Sequence, residues 1–547
     1  MAATDGTLRS GRLSALIADG DLRRVAFDGH EVLRRVSYPV RDADWGTMQT
    51  ETRAERLDGG RYERQFRATE GAFEGVFRAE ATGEARLVAT VEIRFLADSV
   101  VYRTGFTLLN HIAGEAGTAV TVSHPRGGVE QATFPRLIAP AQPARDIVGL
   151  SHRAGPVAVD IAMAGDVFEM EDQRNWSDAS YKTYCRPLSL PRPYPVRAGE
   201  VIRQSVTLTL SPAAEREASA AFAGSATAPL PEVLLAHEPG ISGAQALAGF
   251  PGIPVLFRVS GAVPDAGLAA LSGRDLSLEI VFADIADLNL QIARCRAAGL
   301  SPGRVVALPA GYLKSHQPEG PWPDGARPED AFPVLRAAFP AAAIGGGSLT
   351  NFTELNRCRP DATAVDFLTF GNTAIVHAAD DMSVRETLEA IPQIIGSATA
   401  LAAGKPLHLG LLSIGMRSNP YGAGVAPNPE RARLPMAMDD PRQASGFAAA
   451  YTVALLAHAA AGDVASLALA MPDGPLGAEG RPLADVVRRA AALAGRRAEI
   501  TWQGALVAIE TQAGGSAPKL PSSPIPFAHA PGGTLLPENA IIWGGAA

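Results

Sequence analysis

The stretch LSLEIVFADIADLNLQIARCRAAGLSPGRVVALP (276–309) alternates strand-like and helix-like segments, and this alternation recurs in the central part of the chain. A short apolar run, LSLEIVF (276–282), precedes a segment with helical spacing, IADLNLQIARCRAAG (285–299), and the apolar run RVVALP (304–309) follows. Apolar runs of strand length that alternate with helical segments are typical of βαβ units, in which the strands lie parallel. This stretch therefore predicts one unit of a parallel α/β domain.

The same alternation continues on both sides of this stretch, with further helical segments at 383–404 and 444–462. Eight alternations over about 240 residues match the size of a (β/α)8 barrel. An open doubly wound sheet is the rival, but no GxGxxG motif follows an early strand. We therefore expect a TIM-like barrel over residues 233–475. The eight strand candidates are VLLAH (233–237), PVLFRV (254–259), LSLEIVF (276–282), RVVALP (304–309), AAIGGG (342–347), DFLTF (366–370), LHLGLLS (407–413) and ASLALA (465–470).

Residues 1–212 show strand spacing without a convincing amphipathic helix. Segments such as LVATVEIRFL (87–96) and VIRQSVTLTL (201–210) have strand length, and turn residues separate them. Many strands joined by turns, with no crossover helix, indicate a large antiparallel sandwich. We expect an N-terminal β-sandwich domain over this range.

The segments that flank the barrel have compositions of their own. Residues 213–232 are rich in Ala, Ser and Pro, which is typical of a linker. Residues 476–547 hold a predicted helix (484–494), a strand pair (499–512) and a tail rich in Pro, Gly and Ser. We expect a helix and a small C-terminal β domain there. The predicted fold is multidomain, α/β plus β, with the barrel flanked in sequence by β-rich domains.

The composition excludes several classes of protein. Hydrophobic residues make up 47% of the chain and charged residues 19%, a globular balance. A net charge of −8 does not provide the basic face that nucleic-acid binding needs. No window of about 18 apolar residues predicts a membrane span, and MAATDGTLRSGRL (1–13) lacks the apolar core of a secretory signal. We expect a cytoplasmic protein without nucleic-acid or membrane partners, and the sequence leaves its oligomeric state open.

Polar side chains crowd four successive loops that follow the predicted barrel strands. In (β/α)8 barrels the active site lies at these carboxyl ends of the strands. Convergent polar groups suit a ligand with many hydroxyls and carbonyls, so we expect a small sugar-like molecule to bind here. The polar residues are, after the fourth strand, Tyr312, Lys314 and His316; after the fifth, Thr350, Asn351, Glu354, Asn356 and Arg357; after the sixth, Asn372, His377, Asp380 and Asp381; and after the seventh, Arg417, Asn419 and Tyr421.

Several of these side chains have a plain structural alternative. Glu354 could form a salt link on its helix, and His377, which follows the apolar residues AIV, could be a core histidine. Asp380 or Asp381 could cap the helix that follows. The HAADD run (377–381) would suit a metal ion, but no HxH or HExxH motif supports one. We predict no metal and no other cofactor, with a divalent ion left open.

A second polar cluster lies in the N-terminal region, FEMEDQRNWSDASYKTYCRP (168–187). Trp176 and two tyrosines interleave its charges, and large aromatic side chains in a charged loop usually pack on something. We expect this loop to cover the barrel mouth, with Lys182 stabilising a developing oxyanion. His124, in SHPRGG, is a further candidate. The predicted substrate-binding residues of the loop are Glu169, Glu171, Arg174, Trp176 and Asp178.

Several strings of the sequence are long and idiosyncratic. They are EMEDQRNWSDASYKTY (169–184), GGGSLTNFTELNR (345–357), IVHAADDMSVRETLEA (375–390) and RSNPYG (417–422), with the HPRGG and FPRLIAPAQPARDI segments within 124–147. Together they resemble the D-apionate lactonase family of bacterial apiose catabolism, and the resemblance covers most of the chain, from the sandwich through the barrel. It implies hydrolysis of D-apionolactone to D-apionate on a layout of β-sandwich, barrel and β domain, and we carry over no catalytic residue from it.

Lactone hydrolysis needs a base that activates water and donors that stabilise the tetrahedral oxyanion. No GxSxG motif predicts a serine nucleophile, so we expect direct attack by water. Glu354 or His377 would be the base, and Arg417 or Lys182 would be the electrophilic partner. The residues expected to hold substrate hydroxyls are Asp380, Asn356, Asn419 and Tyr421.

Two other functions fit the same pattern. A glycoside hydrolase would need two carboxylates, about 5–5.5 Å apart if retaining or about 6.5–9.5 Å apart if inverting. Glu354 could supply such a pair with Glu169, Glu171 or Asp380. A non-catalytic carbohydrate-binding protein is the second alternative. The function that we predict is that of a sugar-acid lactonase.

Overall fold

The computed structural model describes residues 6–43, 45–213, 223–261, 265–503, 506–511 and 540–544. By its internal contacts the chain divides into two units. The first runs to Gln173 and again from Ala179 to Ser219, and the second takes Arg174–Asp178 and the chain from Ala220 onward. The five residues Arg174–Asp178 therefore belong to the second unit, although the residues on both sides of them in sequence belong to the first.

The described part of the first unit is built from antiparallel strands, as the sequence predicted. The strands are β1 (Gly6–Ser10), β2 (Leu13–Ala18), β3 (Asp21–Phe27), β4 (His30–Ser37), β5 (Val40–Asp42), β6 (Thr50–Asp58), β7 (Arg61–Ala68), β8 (Phe73–Thr82), β9 (Arg86–Phe95), β10 (Ser99–Thr104), β11 (Thr107–His111), β12 (Ala119–Ser123), β13 (Val129–Thr133), β14 (Ala144–Ile147), β15 (Gly149–Ala154), β16 (Val157–Ala164), β17 (Phe168–Asp172), β18 (Ser180–Cys185), β19 (Tyr194–Val196) and β20 (Val201–Pro212).

These strands form two large sheets and a small one. The large sheets have the strand orders β1-β2-β3-β4-β11-β18-β17-β14 and β13-β12-β15-β16-β20-β9-β8-β7-β6, and the small sheet has the order β19-β10-β5. Strands such as Arg61–Ala68 bury every second residue, which is the pattern of a sheet with one face on the core. Tyr38, which follows β4, stacks on Phe77 of β8 with ring centroids 4.4 Å apart, so the two large sheets share an aromatic core.

The second unit contains a closed barrel of eight parallel strands, arranged in chain order. The last strand closes on the first, with Glu232 opposite Ser466. All seven residues of Leu276–Phe282 are buried, as expected for a strand that is covered on both faces. Gly347 has a φ of 129°, and a Cβ there would lie 2.2 Å from the carbonyl oxygen of Thr369, so the GGG run lets two strands approach closely.

All eight strands coincide with the segments that the sequence predicted, within a few residues at each end. The barrel strands are β22 (Glu232–His237), β23 (Val255–Ser260), β24 (Leu276–Phe282), β25 (Arg304–Pro309), β26 (Ala343–Asn351), β27 (Phe367–Thr373), β28 (His408–Ser413) and β29 (Ser466–Ala470). The helices are α1 (Asp265–Ala269), α2 (Ile285–Ala297), α3 (Ala331–Ala338), α4 (Phe352–Arg357), α5 (Asp381–Ala402), α6 (Gly446–Ala461) and α7 (Pro482–Ala492). Among the described helices, none is long and apolar enough to cross a membrane.

A small antiparallel sheet completes the second unit. It consists of β21 (Ala223–Pro229), β30 (Arg497–Gln503), β31 (Leu506–Thr511) and β32 (Ala540–Gly544), in that order. Part of the segment 213–232, which we expected to be a linker, is thus a sheet strand, because its backbone finds hydrogen-bond partners in β30. The tail rich in Pro, Gly and Ser was predicted after residue 512, and residues 512–539 lie outside the described part of the chain.

Candidate active site in the barrel

A cavity lies among residues at and beyond the carboxyl ends of three neighbouring barrel strands, β26, β27 and β28. This is the end of a (β/α)8 barrel at which catalytic groups are found. Its wall mixes amide, hydroxyl and guanidinium groups with a few apolar side chains, which is the chemistry of a polyol site. The lining residues are Leu349, Thr350, Asn351, Gly371, Asn372, Thr373, Leu411, Ser413, Met416, Arg417 and Ser418.

Arg417 joins this cavity to a buried cluster of four charges. Its Nη1 donates to Oε2 of Glu279 at 2.9 Å, and its Nε donates to Oε2 of Glu238 at 2.7 Å. Arg258 donates from Nε to the same oxygen of Glu279 at 2.7 Å. Burial alone would raise the pKa of Glu279, but the two guanidinium groups outweigh it and lower the pKa. Glu279 is therefore a fixed anion that holds Arg417 in place.

The third guanidinium nitrogen of Arg417, Nη2, is buried and has no hydrogen-bond partner among the described residues. A buried donor without an acceptor costs free energy, and a ligand oxygen can remove that cost. Arg417 is thus suited to bind a carbonyl or anionic oxygen in the cavity.

His377 and Asp178 form an acid–base pair beside this cavity. The imidazole Nδ1 lies 2.6 Å from Oδ2 of Asp178, although the two residues are 199 positions apart in the sequence. The ring is 27% exposed and the carboxylate 16%, so water can reach the pair. The indole of Trp176 meets the imidazole edge-to-face at 5.7 Å and also packs with Met416, which lines the cavity. A histidine oriented by a carboxylate at a strand end is the usual arrangement of a general base.

The segment Arg174–Asp178 is anchored on the barrel by hydrogen bonds. The amide of Asn356 donates to Oδ1 of Asn175 at 2.9 Å, and Thr353 donates to the carbonyl oxygen of Asn175 at 2.5 Å. Ser177 donates to the amide oxygen of Asn372. Asn356, which we expected to bind substrate, therefore has a partner within the protein, and its amide fixes the segment that carries Asp178.

Glu354, the other predicted base, caps its own helix. Oε2 accepts hydrogen bonds from Oγ1 of Thr350 and from the backbone N–H of Asn351, both at 3.0 Å, as part of a capping box at the start of α4. The carboxyl group is buried, and burial raises its pKa, while these hydrogen bonds act in the opposite direction. The carboxylate holds two residues of the cavity wall.

Three further predicted residues shape the loops that surround the site. Asp380 caps α5 by accepting a hydrogen bond from the N–H of Ser383 at 2.8 Å. Asn419 accepts from the N–H of Tyr421 at 2.8 Å and so folds the loop after β28. The hydroxyl of Tyr421 accepts from the amide of Asn351 at 3.0 Å. Each side chain therefore has a structural partner, and only Asn351 of these residues lines the cavity.

The rest of the predicted loop residues fall in two places. In the first unit, Lys182 pairs with Glu171 at 2.8 Å across the β17–β18 pair, and burial lowers the pKa of the lysine. Glu169 accepts a hydrogen bond from the hydroxyl of Tyr184. In the second unit, the fully buried Arg174 donates to the amide oxygen of Gln393. Of this loop, the structure brings Arg174, Trp176 and Asp178 onto the barrel, since these three belong to the second unit.

The sequence reading missed three members of the charge cluster. Arg258 and Glu279 lie inside the apolar strands PVLFRV and LSLEIVF, and Glu238 directly follows VLLAH. A charged residue in a strand that is buried on both faces needs a partner of opposite charge nearby. That signal applies to Arg258 and Glu279, whereas Glu238 stands at the end of the first strand, outside the four loops with dense polar side chains.

The sequence left a divalent metal ion open. Within the described residues no three His, Cys, Asp or Glu side chains are grouped so that they could hold a metal ion. The HAADD run contributes its histidine to Asp178 and its first aspartate to the cap of α5.

Comparison with known proteins places this geometry in context. The sequence matches the family profiles described as D-apionate lactonase, TIM barrel domain, at residues 264–495, and D-apionate lactonase, N-terminal domain, at residues 1–213. It is 36% identical over 537 residues to a D-apionate lactonase of Brucella anthropi, an alignment that covers 89% of this chain and 88% of that protein.

Two solved structures that match the chain resemble it only distantly. An α-galactosidase of Geobacillus stearothermophilus has 10% identity and a TM-score of 0.28, with 94% of this chain and 93% of that one covered. An endoxylanase of Clostridium papyrosolvens has 10% identity and a TM-score of 0.31, with 53% and 83% covered. At these TM-scores neither likeness bears on function.

Proposed function

The chain belongs to the D-apionate lactonase family, and from this premise we propose that it hydrolyses D-apionolactone to D-apionate by attack of an activated water on the lactone carbonyl. The observation that carries the proposal is the match to the Brucella anthropi enzyme along nearly the whole of both chains. The paired His377 and Asp178 beside a polar cavity supply the acid–base group that such a reaction needs.

In this proposal His377 is the general base. It takes a proton from water as the oxygen attacks the carbonyl carbon, and later returns a proton to the ring oxygen that departs. Asp178 holds the imidazole in one orientation and stabilises the imidazolium that forms. The exposure of the pair supports the role, since the base has to reach both water and substrate.

Arg417 is the electrophilic partner in the same proposal. The carbonyl oxygen gains negative charge as water adds, and a fixed guanidinium donor lowers the energy of that state. Glu279 and Glu238 hold the group through two of its nitrogens. Met416 connects the two halves of the site, since it lines the cavity together with Arg417 and packs with Trp176 beside His377.

A glycoside hydrolase is supported less well by the same residues. It needs two carboxylates free to act on one glycosidic bond. Glu354 and Asp380 cap helices, and Glu171 is paired with Lys182. Glu279 lies between two arginines, and its lowered pKa makes it a poor proton donor.

The experiment that tests this function is acid release from a panel of substrates. Purified protein is given D-apionolactone, other aldonolactones and nitrophenyl glycosides, each with and without a chelator, and His377→Gln serves as the matched control. We expect acid release from D-apionolactone above the other lactones, with loss in the variant. Cleavage of aryl glycosides without lactone hydrolysis contradicts the proposal. Higher activity on another aldonolactone would make that lactone the substrate in place of D-apionolactone.

A further inference from the structure

We propose that the cavity beside Arg417 contains a carboxylate subsite, which binds the open-chain sugar acid that the reaction forms. The identity of the acid rests on the proposed function, whereas the subsite itself rests on the charge cluster. The chemical class of ligand is an aldonate, a polyhydroxylated chain that ends in a carboxylate.

The unused donor of Arg417 is the first step. Arg417 is 9% exposed and lines the cavity, and its Nε and Nη1 are occupied by Glu238 and Glu279. Nη2 alone has no partner in the described part of the chain. A buried guanidinium with one open donor is suited to an anionic oxygen, because hydrogen bonds to charged groups are the stronger ones.

The second step is the rigidity of this donor. Glu279 is 2% exposed and Arg258 is 3% exposed, and both lie inside barrel strands. Arg258 also donates from Nη2 to the carbonyl oxygen of Leu349 at 2.6 Å, and Leu349 lines the cavity. Arg258 is therefore a positioning residue, which ties the guanidinium of Arg417, through Glu279, to the cavity wall.

The third step is the charge balance of the cluster. Two guanidinium groups face two carboxylates, so the four side chains together carry no net charge. An anion is then attracted by the directed donor of Arg417 rather than by excess positive charge. Recognition should depend on the guanidinium geometry, and a lysine at this position should replace it poorly.

The fourth step is the chemistry of the ring opening. Water adds to the carbonyl carbon, the bond from that carbon to the ring oxygen breaks, and a proton goes to the ring oxygen to give a hydroxyl. The resulting acid loses one proton to solvent at neutral pH, which leaves a carboxylate on the same carbon. A donor placed for the tetrahedral oxyanion also meets the product carboxylate, so the product should bind and inhibit.

The test measures binding without any turnover. Isothermal titration calorimetry of the full chain uses D-apionate and its uncharged analogue apiitol, on the wild type, Arg417→Lys and Arg417→Gln. We expect D-apionate to bind the wild type roughly 10- to 100-fold more tightly than apiitol. The preference should shrink in Arg417→Lys and vanish in Arg417→Gln. Arg442→Lys, a buried arginine paired with Asp440 outside the cavity lining, is the matched control and should retain it.

If a variant of the charge cluster does not fold, product inhibition of the wild type tests the subsite. D-apionate should then inhibit lactone hydrolysis competitively, at concentrations where apiitol does not. Equal affinity for the two ligands, no detectable binding of D-apionate, or a preference that survives Arg417→Gln overturns the subsite. Lactone hydrolysis without such a preference refutes the subsite alone, whereas selective D-apionate binding without hydrolysis refutes the proposed function and supports the subsite.

Discussion

After β26, the carboxylate of Glu354 turns back onto its own helix, where it accepts hydrogen bonds from residues three and four positions earlier. After β27, the imidazole of His377 meets Asp178, which lies 199 positions away in the chain. Both side chains follow neighbouring barrel strands, and the sequence leaves them as alternatives for the base. Glu354 bonds to residues that are close to it in the sequence, whereas His377 bonds to a residue that only the fold brings near.

In the proposed mechanism, this difference gives the carboxylate a structural role and the imidazole a catalytic one. A local capping box is a common device that stabilises a helix terminus wherever it occurs. A partner brought from a distant segment, itself anchored by Asn356 and Thr353, has to be maintained by several residues at once. We infer that the His377 loop carries the chemistry and that the Glu354 loop builds the wall beside it.

The largest expected effect follows from removal of the imidazole. His377→Gln should lower kcat for D-apionolactone by about 100- to 10,000-fold, because the water loses its general base. Steady-state acid release measures the loss, and the melting temperature should stay near that of the wild type, since the ring is partly exposed. A variant with kcat near the wild-type value would remove His377 from the mechanism.

A smaller loss is expected when only the charge of its partner is removed. Asp178→Asn keeps an oxygen that can accept from the ring, but it no longer stabilises an imidazolium. We expect kcat to fall by about 10- to 100-fold, with little change in KM. The opposite pattern, a raised KM at unchanged kcat, would make Asp178 a substrate-binding residue, which is the role that the sequence suggested.

The Glu354 loop should respond in stability rather than in rate. Glu354→Ala should lower the free energy of unfolding by about 1–2 kcal/mol, because the capping box of α4 loses the side chain that accepts from the backbone N–H of Asn351. Glu354→Gln is the matched control, since glutamine also serves in a capping box, and its kcat should stay within about threefold of wild type. Urea unfolding and lactone kinetics measure the two effects. A much larger loss of kcat in Glu354→Gln would restore the carboxylate as the base.

The smallest effect is a pH dependence of stability. Burial raises the pKa of Glu354 above its ordinary value of 4.5, so the folded protein holds this proton more tightly than the unfolded chain. The resulting stabilisation is complete below pH 4.5 and is lost as pH rises through the raised pKa. The wild type should therefore lose stability relative to Glu354→Gln as pH rises from 4.5 towards neutrality. Melting curves of both proteins test this, and a constant difference would contradict it.

Most of the fold could be predicted from periodicity. Apolar runs of strand length that alternate with helical segments located all eight barrel strands, because burial on both faces leaves a continuous apolar run. The strand Ala223–Pro229 was missed because its Ala, Ser, Thr and Pro content is that of a connector. Its strand character comes from pairing with Arg497–Gln503, a partner more than 260 positions away that no local pattern reveals.

The location of the candidate site could be predicted from the sequence, whereas the roles of its individual side chains could be predicted less well. The strand-end rule led to Arg417 and His377, since parallel strands bring their carboxyl ends together, and the aromatic side chains in a charged loop led to the segment with Asp178. It could not separate Glu354 from His377, because the two differ only in which distant or local groups their side chains meet. Nor did it find Glu279, whose importance depends on two arginines supplied by other strands and loops.

In the proposed mechanism His377 and Asp178 act as one unit, and a double-mutant cycle measures the coupling between them. The measurement is kcat/KM for D-apionolactone in the wild type, His377→Gln, Asp178→Asn and the double variant. Because Asp178 acts only through the imidazole, the double variant should be no slower than His377→Gln, within about threefold. Losses that multiply in the double variant would show that the two residues act independently, and would contradict the account.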